Sequence, residues 1–206
     1  MQPFCRFNRL SINIDLDSIR KLGQTVTIES LYAGCKAGNR QAQEQLYQLM
    51  APKMLNICLR YARNTFEAED MLQIGFIKVF THIDSYRVAG SFEGWIRKIM
   101  VNTAIETYRK NVRGGFSVEL DEAYDDAQEM FAMDRLECED LLQLIQTLPD
   151  GYRMVFNLYA LEGFSHKEIA ETLEISEGAS KSQLSRARTW LREKLQQLEG
   201  GNYEAR

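Results

Sequence analysis

The segment from Ser165 to Leu195 constrains the fold most, because it contains two helical patterns separated by a turn. Ser165 precedes Glu168 by three residues, which is the spacing of a capping box at the start of a helix. A second candidate N-cap, Ser176, lies 11 residues after the first and begins a longer helix. Apolar residues follow along that helix at steps of three and four, at Leu184, Ala187, Leu191, Leu195 and Leu198. This layout is typical of a helix-turn-helix, whose second helix enters the major groove of DNA.

The face opposite this apolar stripe is polar and cationic. Between Lys181 and Lys194 there are five cations and one acid, Glu193. A helix that is merely solvated more often balances its charges in pairs four residues apart, so the excess of cations favours contact with DNA. Side chains of these types bind phosphates and base edges, and the candidates are Lys181, Ser182, Gln183, Ser185, Arg186 and Arg188.

The whole chain predicts a protein of the cytoplasm without a metal or cofactor. It contains no run of 18 apolar residues and no apolar stretch typical of a signal peptide near its start. The four cysteines are scattered, and no two of them have the spacing of metal ligands. We therefore expect reduced, buried thiols, and nothing in the sequence indicates a cofactor or a small-molecule substrate.

The net charge of −4 is unevenly distributed along the chain. Residues 30–111 carry 11 Lys and Arg against 7 Asp and Glu, whereas residues 112–140 carry 2 against 10. The acidic segment opens with two glycines and buries too little apolar surface to fold alone. It is interpreted as a flexible acidic linker between two helical domains, although a plain solubilising role explains its composition equally well.

Helical periodicity dominates the first domain. A helix is predicted over about residues 28–36, and Asn39 is predicted to cap a second helix. Pro52 predicts a kink or a fresh start in that helix. Beyond it, the segment 66–83 has an inward stripe at Leu72, Phe76, Val79, Phe80 and Ile83, with Met71, Ile74 and Ile77 apolar but off the stripe. This second apolar face packs either against another helix of the domain or against a partner protein, with Glu69, Asp70, Gln73 and Lys78 as a polar rim.

The last helix of this domain has a buried side and a basic side. Ser91 is its predicted cap, after a loop that presents Tyr86 and Arg87. The inward set includes Trp95, which is assigned to the core. The outward set mixes cations, an amide and an aromatic, which suits unpaired bases, and consists of Arg97, Lys98, Asn102, Tyr108, Arg109 and Lys110.

Two sequence signatures in this order resemble the bacterial extracytoplasmic-function sigma factors. The first is EAEDMLQIGFIKVF with SFEGWIRKIMVNTAIETYRK, and the second is LPDGYRMVFNLYALEGFSHKEIAETL with the basic final helix. The resemblance covers about residues 28–198. It implies an all-α chain: an N-terminal extension of unknown role (1–27), sigma region 2 (28–111), the acidic linker (112–138), sigma region 4 (139–198) and a tail (199–206).

The resemblance also implies partners and site residues. The partners are RNA polymerase core, promoter DNA and an anti-sigma factor, which in this family is often membrane-anchored. Core binding is implied for Asp70, Leu72, Gln73, Phe76, Lys78 and Val79. Recognition of the minus-10 element is implied for Tyr86, Arg87, Ser91, Arg97, Asn102 and Arg109, with a flipped base held by the loop from Tyr86 to Phe92. The minus-35 element is implied to be read by Lys181, Ser182, Gln183, Ser185, Arg186 and Arg188.

Two residues depart from the family pattern. Glu174 stands at a turn position that is commonly glycine, so a non-glycine residue is expected in the left-handed region. Ser180 stands at an inward position that is commonly valine, and its hydroxyl is expected to bond to a carbonyl of the preceding turn.

Two other classes of protein account for less of the sequence. A stand-alone helix-turn-helix regulator explains the C-terminal half equally well, but it leaves the basic face at 95–110 and the apolar circumference of 66–83 unexplained. An enzyme is disfavoured, because Glu67, Glu69, Asp70 and His82 have ordinary helix-surface spacings and no second motif.

Overall fold

The computed structural model describes residues 28–87, 90–115 and 138–201, and within these ranges the chain forms helices and turns without a strand. The predicted all-α fold class is confirmed. The first domain contains α1 (Ile28–Lys36), α2 (Arg40–Tyr61), α3 (Thr65–Thr81) and α4 (Phe92–Arg113). The second contains α5 (Cys138–Gln146), α6 (Asp150–Phe156), α7 (His166–Leu173) and α8 (Glu177–Gly201). The predicted N-terminal extension and most of the predicted linker lie outside the described residues.

Helix α2 begins where the sequence predicts and continues further than predicted. The side chain of Asn39 accepts hydrogen bonds from the backbone N–H groups of Gln41 and Ala42, at 2.9 and 3.2 Å. Of the kink or fresh start predicted at Pro52, the fresh start is wrong, because α2 runs through the proline as one helix, and the kink stays a prediction. The proline removes one backbone donor, but buried Met50 and Met54 on either side hold this stretch in the core.

Helices α3 and α4 approach each other closely at Gly75. A Cβ atom at this position would lie 2.2 Å from Sδ of Met100, which is itself fully buried. A side chain at this position would require the Met100 side chain to move within the packed core. The caps of both helices are formed by side chains, since Asn64 accepts from the N–H of Glu67 and Ser91 accepts from that of Gly94.

The helix-turn-helix of the second domain has both predicted caps. The backbone N–H of Glu168 donates to Oγ of Ser165, and the Glu168 carboxylate accepts from the Ser165 N–H at 2.8 Å, which completes the capping box. Oγ of Ser176 accepts from the N–H of Ala179 at 3.0 Å. Glu174, between the helices, has φ 60° and ψ 40°, so the predicted left-handed conformation is confirmed.

Ser180 makes a different hydrogen bond from the one predicted. Its hydroxyl lies 3.0 Å from Nδ1 of His166, in the first turn of α7, and the residue is fully buried. The hydroxyl therefore ties the start of α7 to α8 and is not used within its own helix.

The two domains share a continuous apolar core. Met154, Val155 and Leu158 of the second domain, with Ile169, Leu173 and Leu184, belong to the same buried cluster as the residues of α1–α4. Helix α2 packs on α5 and α6, and α4 packs on α6 and α7. The sequence predicts two domains joined by a linker, and it does not predict this direct packing.

Candidate core-docking and DNA-binding surfaces

Helix α3 exposes only part of the set predicted to bind the polymerase core. Asp70 and Gln73 are exposed at the surface. Leu72, Phe76 and Val79 are buried in the core of the first domain, and their part in core binding stays a prediction. The apolar stripe of α3 packs in the core of its own domain, and burial of these side chains stabilises the helix that carries them.

Two apolar side chains on α3 remain at the surface beside Asp70 and Gln73. Ile74 is 44% exposed and Ile77 is 65% exposed. Phe66, in the first turn of the same helix, is 80% exposed. The sequence shows Ile74 and Ile77 as apolar residues off the inward stripe, but neither was among the residues predicted to bind core polymerase. Exposed apolar side chains of this size on one helix favour a surface that binds a partner.

Lys78 is the remaining predicted core-binding residue, and it bridges two helices of its own domain. Its Nζ donates to Oγ1 of Thr103 at 3.2 Å and to the carboxylate of Glu106, both on α4. The side chain is partly exposed, and its charge is already paired within the domain.

The loop after α3 belongs to an aromatic cluster that lines a cavity. The ring of Tyr86 lies about 5 Å from those of Tyr32 and Phe92, and Phe92 stacks on Trp95 with 13° between the planes. The Tyr86 hydroxyl donates to the carbonyl of Gly90 at 2.6 Å. The cavity has a volume of about 360 Å³, and its lining consists of Ile28, Tyr32, Tyr86, Gly90, Ser91, Phe92 and Glu93. A concave site of this size with aromatic walls suits a small planar group.

The predicted outward face of α4 is only partly open. Asn102 is exposed, as are Arg87 and Ser91 in the loop that precedes the helix. Arg97 instead donates two hydrogen bonds at 2.9 Å to the carboxylate of Glu162 in the second domain. Arg109 lies 4.0 Å from the carboxylate of Glu174, also in the second domain. The residues predicted to bind the minus-10 element thus lie on α4 and the loop before it. Two of their cations, Arg97 and Arg109, pair with carboxylates of the second domain.

The early part of α8 carries all six residues predicted to read duplex DNA. Lys181 is exposed and pairs with Glu177 at 2.9 Å. Ser182 donates to the carbonyl of Ala179, and Ser185 is half-buried. Arg186 donates to the hydroxyl of Tyr152 at 3.4 Å. Gln183 is half-buried, and the guanidinium of Arg188 lies 5.8 Å from the centre of the Tyr159 ring.

Comparison with known proteins decides the family. Residues 46–114 match Sigma-70 region 2, and residues 138–191 match Sigma-70, region 4. The ECF RNA polymerase sigma factor SigW of Bacillus subtilis is 30% identical over 176 residues, which cover 79% of this chain and 94% of SigW. The chain belongs to the ECF RNA polymerase sigma factors. It directs RNA polymerase to promoters, and the stand-alone regulator is not favoured.

Two further known proteins are similar to this sigma factor. The ECF RNA polymerase sigma factor SigE of Mycolicibacterium smegmatis is 31% identical over 160 residues, covering 74% of this chain and 61% of SigE. The sigma factor RpoE of Bartonella quintana, solved in complex with the anti-sigma factor NepR, is 24% identical with a TM-score of 0.44. That match covers 74% of this chain and 96% of the solved one.

A cluster around His166 lies at the start of the helix-turn-helix of this sigma factor. The imidazole stacks on the ring of Tyr159 at 4.6 Å and is hydrogen-bonded to Ser180. Burial lowers the pKa of His166, and the positive charge of Lys181 lowers it further. Glu177 acts in the opposite direction, and the neutral imidazole is the form that the folded domain favours.

This lowered pKa predicts that the folded protein loses stability in mild acid. The unfolded chain binds the proton more readily than the folded one, so stability is lost as the pH falls through about 6.5 toward the folded value. Thermal melting between about pH 7.5 and pH 5.5 measures the loss. The variant His166→Gln, which keeps polar atoms near Ser180, should lose less stability over the same range. Identical pH dependence in both proteins would contradict the assignment.

Neither a metal site nor a membrane span is found in the part of the sigma factor that the structure describes. No group of three His, Cys, Asp or Glu residues in residues 28–87, 90–115 and 138–201 is arranged to hold a metal ion. No helix in these ranges has the length and apolar content needed to cross a bilayer.

Proposed function

We propose that this sigma factor recognises its promoter through three surfaces of different chemistry, and that the predicted domains divide these tasks. Sigma region 2 (28–111) binds core polymerase and the minus-10 element, and sigma region 4 (139–198) binds the minus-35 element. The acidic linker (112–138) joins them. The observation that carries the division is that α3, α4 and α8 present an apolar and acidic surface, a basic surface with an aromatic cavity, and a polar and basic surface, respectively.

The surface for core polymerase lies on α3 and consists of Asp70, Gln73, Ile74 and Ile77. Apolar side chains that are exposed in the free protein gain most when a partner removes them from water. The two polar residues beside them supply directional hydrogen bonds, as the rim of a protein interface does. Lys78 joins α3 to α4 and is proposed to orient this surface.

The surface for the minus-10 element consists of the aromatic cavity and the basic face of α4. A flipped base can stack on Tyr86 or Phe92, which is a favourable contact for any base. Arg97 and Asn102 stand further along α4, the helix that begins at Phe92, and there a guanidinium and an amide can bind phosphates and base edges. Extruding a base costs a few kcal/mol, and the stacking contacts offset this cost.

The surface for the minus-35 element is the early part of α8. Its polar and cationic side chains reach duplex DNA when the helix enters the major groove. Arg and Gln side chains can form two hydrogen bonds with guanine and adenine edges, respectively, whereas lysine and serine residues hold phosphates. Gln183 and Arg186 are therefore proposed to read bases, and Lys181, Ser182, Ser185 and Arg188 to position the helix.

We further propose that the protein acts in the cytoplasm, where promoter DNA and core polymerase are found, and that an anti-sigma factor restrains it. The family supports the first statement, and the anti-sigma factor NepR bound to RpoE of Bartonella quintana motivates the second. No catalytic residue, metal or cofactor is assigned to it. Isolation of the protein from its native cell, with identification of the co-purifying chains, tests both the polymerase and the anti-sigma factor.

The central test compares promoter binding with and without core polymerase. The isolated chain is expected to bind promoter duplex weakly, because α8 offers only five cations between Lys181 and Lys194 and the acidic residues of the linker repel DNA. Core polymerase should confer tight, promoter-specific binding and transcription from that promoter. Gel shifts and run-off transcription measure the two results. Nanomolar, sequence-specific binding by the chain alone would instead support a regulator that needs no polymerase.

A further inference from the structure

The chain leaves α6 through a π-helical turn, Asn157–Leu161, which places one large ring at the surface. The turn is closed by the N–H of Glu162, which donates to the carbonyl of Asn157 at 3.1 Å. Asn157 and Leu158 are fully buried, whereas Tyr159 is 37% exposed. A π-helical turn holds an extra residue and so redirects the side chains it carries, and such turns are frequent at functional sites.

Tyr159 contacts both helices of the helix-turn-helix. Its ring stacks on the imidazole of His166, the first residue of α7, with 4.6 Å between the ring centres and 23° between the planes. The guanidinium of Arg188, on α8, lies over the Tyr159 ring at 5.8 Å from its centre. One side chain of the π-helical turn thus joins the start of α7 to the part of α8 that is proposed to bind DNA.

His166 is itself fixed by a residue of α8. Its Nδ1 lies 3.0 Å from Oγ of Ser180, which is fully buried. A hydrogen bond to a buried hydroxyl restricts rotation of the imidazole, so the ring on which Tyr159 stacks has a defined plane. The chain of contacts therefore begins at Ser180 and ends at Arg188, both on α8.

The contact with Tyr159 holds the Arg188 guanidinium without neutralising it. A cation within about 6 Å of an aromatic centre is attracted by the face of the ring. This attraction uses none of the five N–H donors of arginine. Lys181 differs, since its ammonium pairs with the Glu177 carboxylate at 2.9 Å. The Tyr159 ring thus limits where the charge of Arg188 lies and does not occupy its donors.

Arg188 lies beyond the part of α8 that is proposed to read bases. Recognition helices place their N-terminal residues against base edges. Arg188 follows Lys181 by seven residues, which is about two turns along the same face. A guanidinium at this place suits the phosphates that flank the groove. A long side chain loses rotamer freedom when it binds, so restraint before binding improves affinity.

We propose that Tyr159 is a positioning residue of the minus-35 surface. Its ring, fixed by His166, holds the Arg188 guanidinium where it meets a phosphate of the duplex backbone. The ring acts through Arg188 and reads no base itself. The inference rests on the proposed function of α8, and it adds to that surface a residue outside the helix that enters the groove.

The role of Tyr159 is tested by a double-mutant cycle on promoter binding by the holoenzyme, the sigma factor bound to core polymerase, with a promoter that it transcribes. Tyr159→Leu should weaken binding by about 2- to 5-fold, the size expected of one exposed cation–π contact. In the Arg188→Ala background the same substitution should have no further effect, because the ring then has no guanidinium to hold. Tyr159→Phe keeps the ring face and should bind as the wild type does.

A merely structural role of Tyr159 gives a different pattern. Tyr159→Leu would then weaken binding by the same factor with Arg188 present or absent, and this additivity would overturn the proposal. The template provides a second readout. Since a phosphate contact carries no sequence information, the defect should keep its size when one base pair of the minus-35 element is changed. A defect confined to the intact element would assign Tyr159 to base reading and would also overturn the proposal.

Folding and the proposed function are checked separately. Thermal melting of each free variant verifies its fold, and Tyr159→Gln, which also lacks a ring, enters the same cycle if Tyr159→Leu unfolds. If Arg188→Ala binds normally while Arg186→Ala is defective, the minus-35 surface stands and the role of Tyr159 is overturned. Normal binding by both arginine variants would contradict the proposed minus-35 surface, and the role of Tyr159 with it.

Discussion

Replacing Ile74 and Ile77 together with glutamate is expected to abolish capture of core polymerase while leaving the first domain folded. Both side chains are exposed, so the substitutions create no cavity in the core. Fully burying one such side chain contributes about 1.5–3 kcal/mol, and losing both should weaken binding by roughly 100-fold or more. Affinity pull-down of purified core polymerase measures this loss.

The control is Leu49→Glu, because Leu49 is an exposed apolar residue on α2, outside the proposed docking surface. It should capture core polymerase normally. Asp70→Ala with Gln73→Ala should show an intermediate defect. Phe76→Ala is uninformative about docking, since Phe76 is buried and its truncation costs about 3–5 kcal/mol of stability. Normal capture by the folded double glutamate variant would exclude α3 as the docking helix.

The sequence predicted most of the local structure because the relevant signals are local. Caps at Asn39, Ser91, Ser165 and Ser176 depend on a side chain and an N–H two or three residues away. The left-handed conformation of Glu174 was likewise predictable, because it depends only on the position of this residue in the turn between the two helices. The fresh start predicted at Pro52 was wrong because tertiary packing on both sides of the proline offsets the loss of one backbone hydrogen bond.

The candidate surfaces were predicted less completely than the helices that carry them. Leu72, Phe76 and Val79 match the family motif, but a motif does not distinguish residues that touch a partner from those that hold the helix in place. Ile74 and Ile77 were visible as apolar residues off the stripe, and only the packing of α3 shows that both stay exposed. Periodicity gives the inward face, whereas the extent of the covered surface depends on the neighbouring helices.

The packing between the domains left no signal in the sequence. The pair Arg97 and Glu162 is separated by 65 residues, and the hydrogen bond from Asn157 to the Arg60 carbonyl spans 97. No periodic pattern relates residues so far apart, and a glutamate in a turn is ordinary on any surface. Such contacts form only when the two folded domains pack against each other, so they are visible in the tertiary structure and not in the local sequence.

Replacing Arg186 and Asn102 separately with alanine should produce defects that depend on the template in opposite ways. Arg186 lies in the early part of α8, where a bidentate base contact discriminates by about 1–3 kcal/mol, or roughly 5- to 150-fold. Arg186→Ala should therefore weaken recognition of the upstream element. Its defect should shrink on templates in which that element is already mutated, because the contact is then absent in the wild-type complex too.

Asn102→Ala should impair strand opening instead, since Asn102 is exposed on α4, the helix whose first turn lines the aromatic cavity proposed to take a flipped base. Permanganate reactivity of thymines near the start site measures the opening, and a pre-melted bubble should rescue part of the loss. Asn56→Ala is the matched control, because it makes the same substitution at an exposed site on α2, outside the proposed DNA-binding surfaces. Equal defects of the Arg186 and Asn102 variants on every template, bubble included, would show that α4 and α8 do not divide promoter recognition. If each variant is defective on a different template, one helix must read duplex DNA and the other unpaired bases. A general loss of DNA affinity would instead reduce the activity of a variant equally on every template.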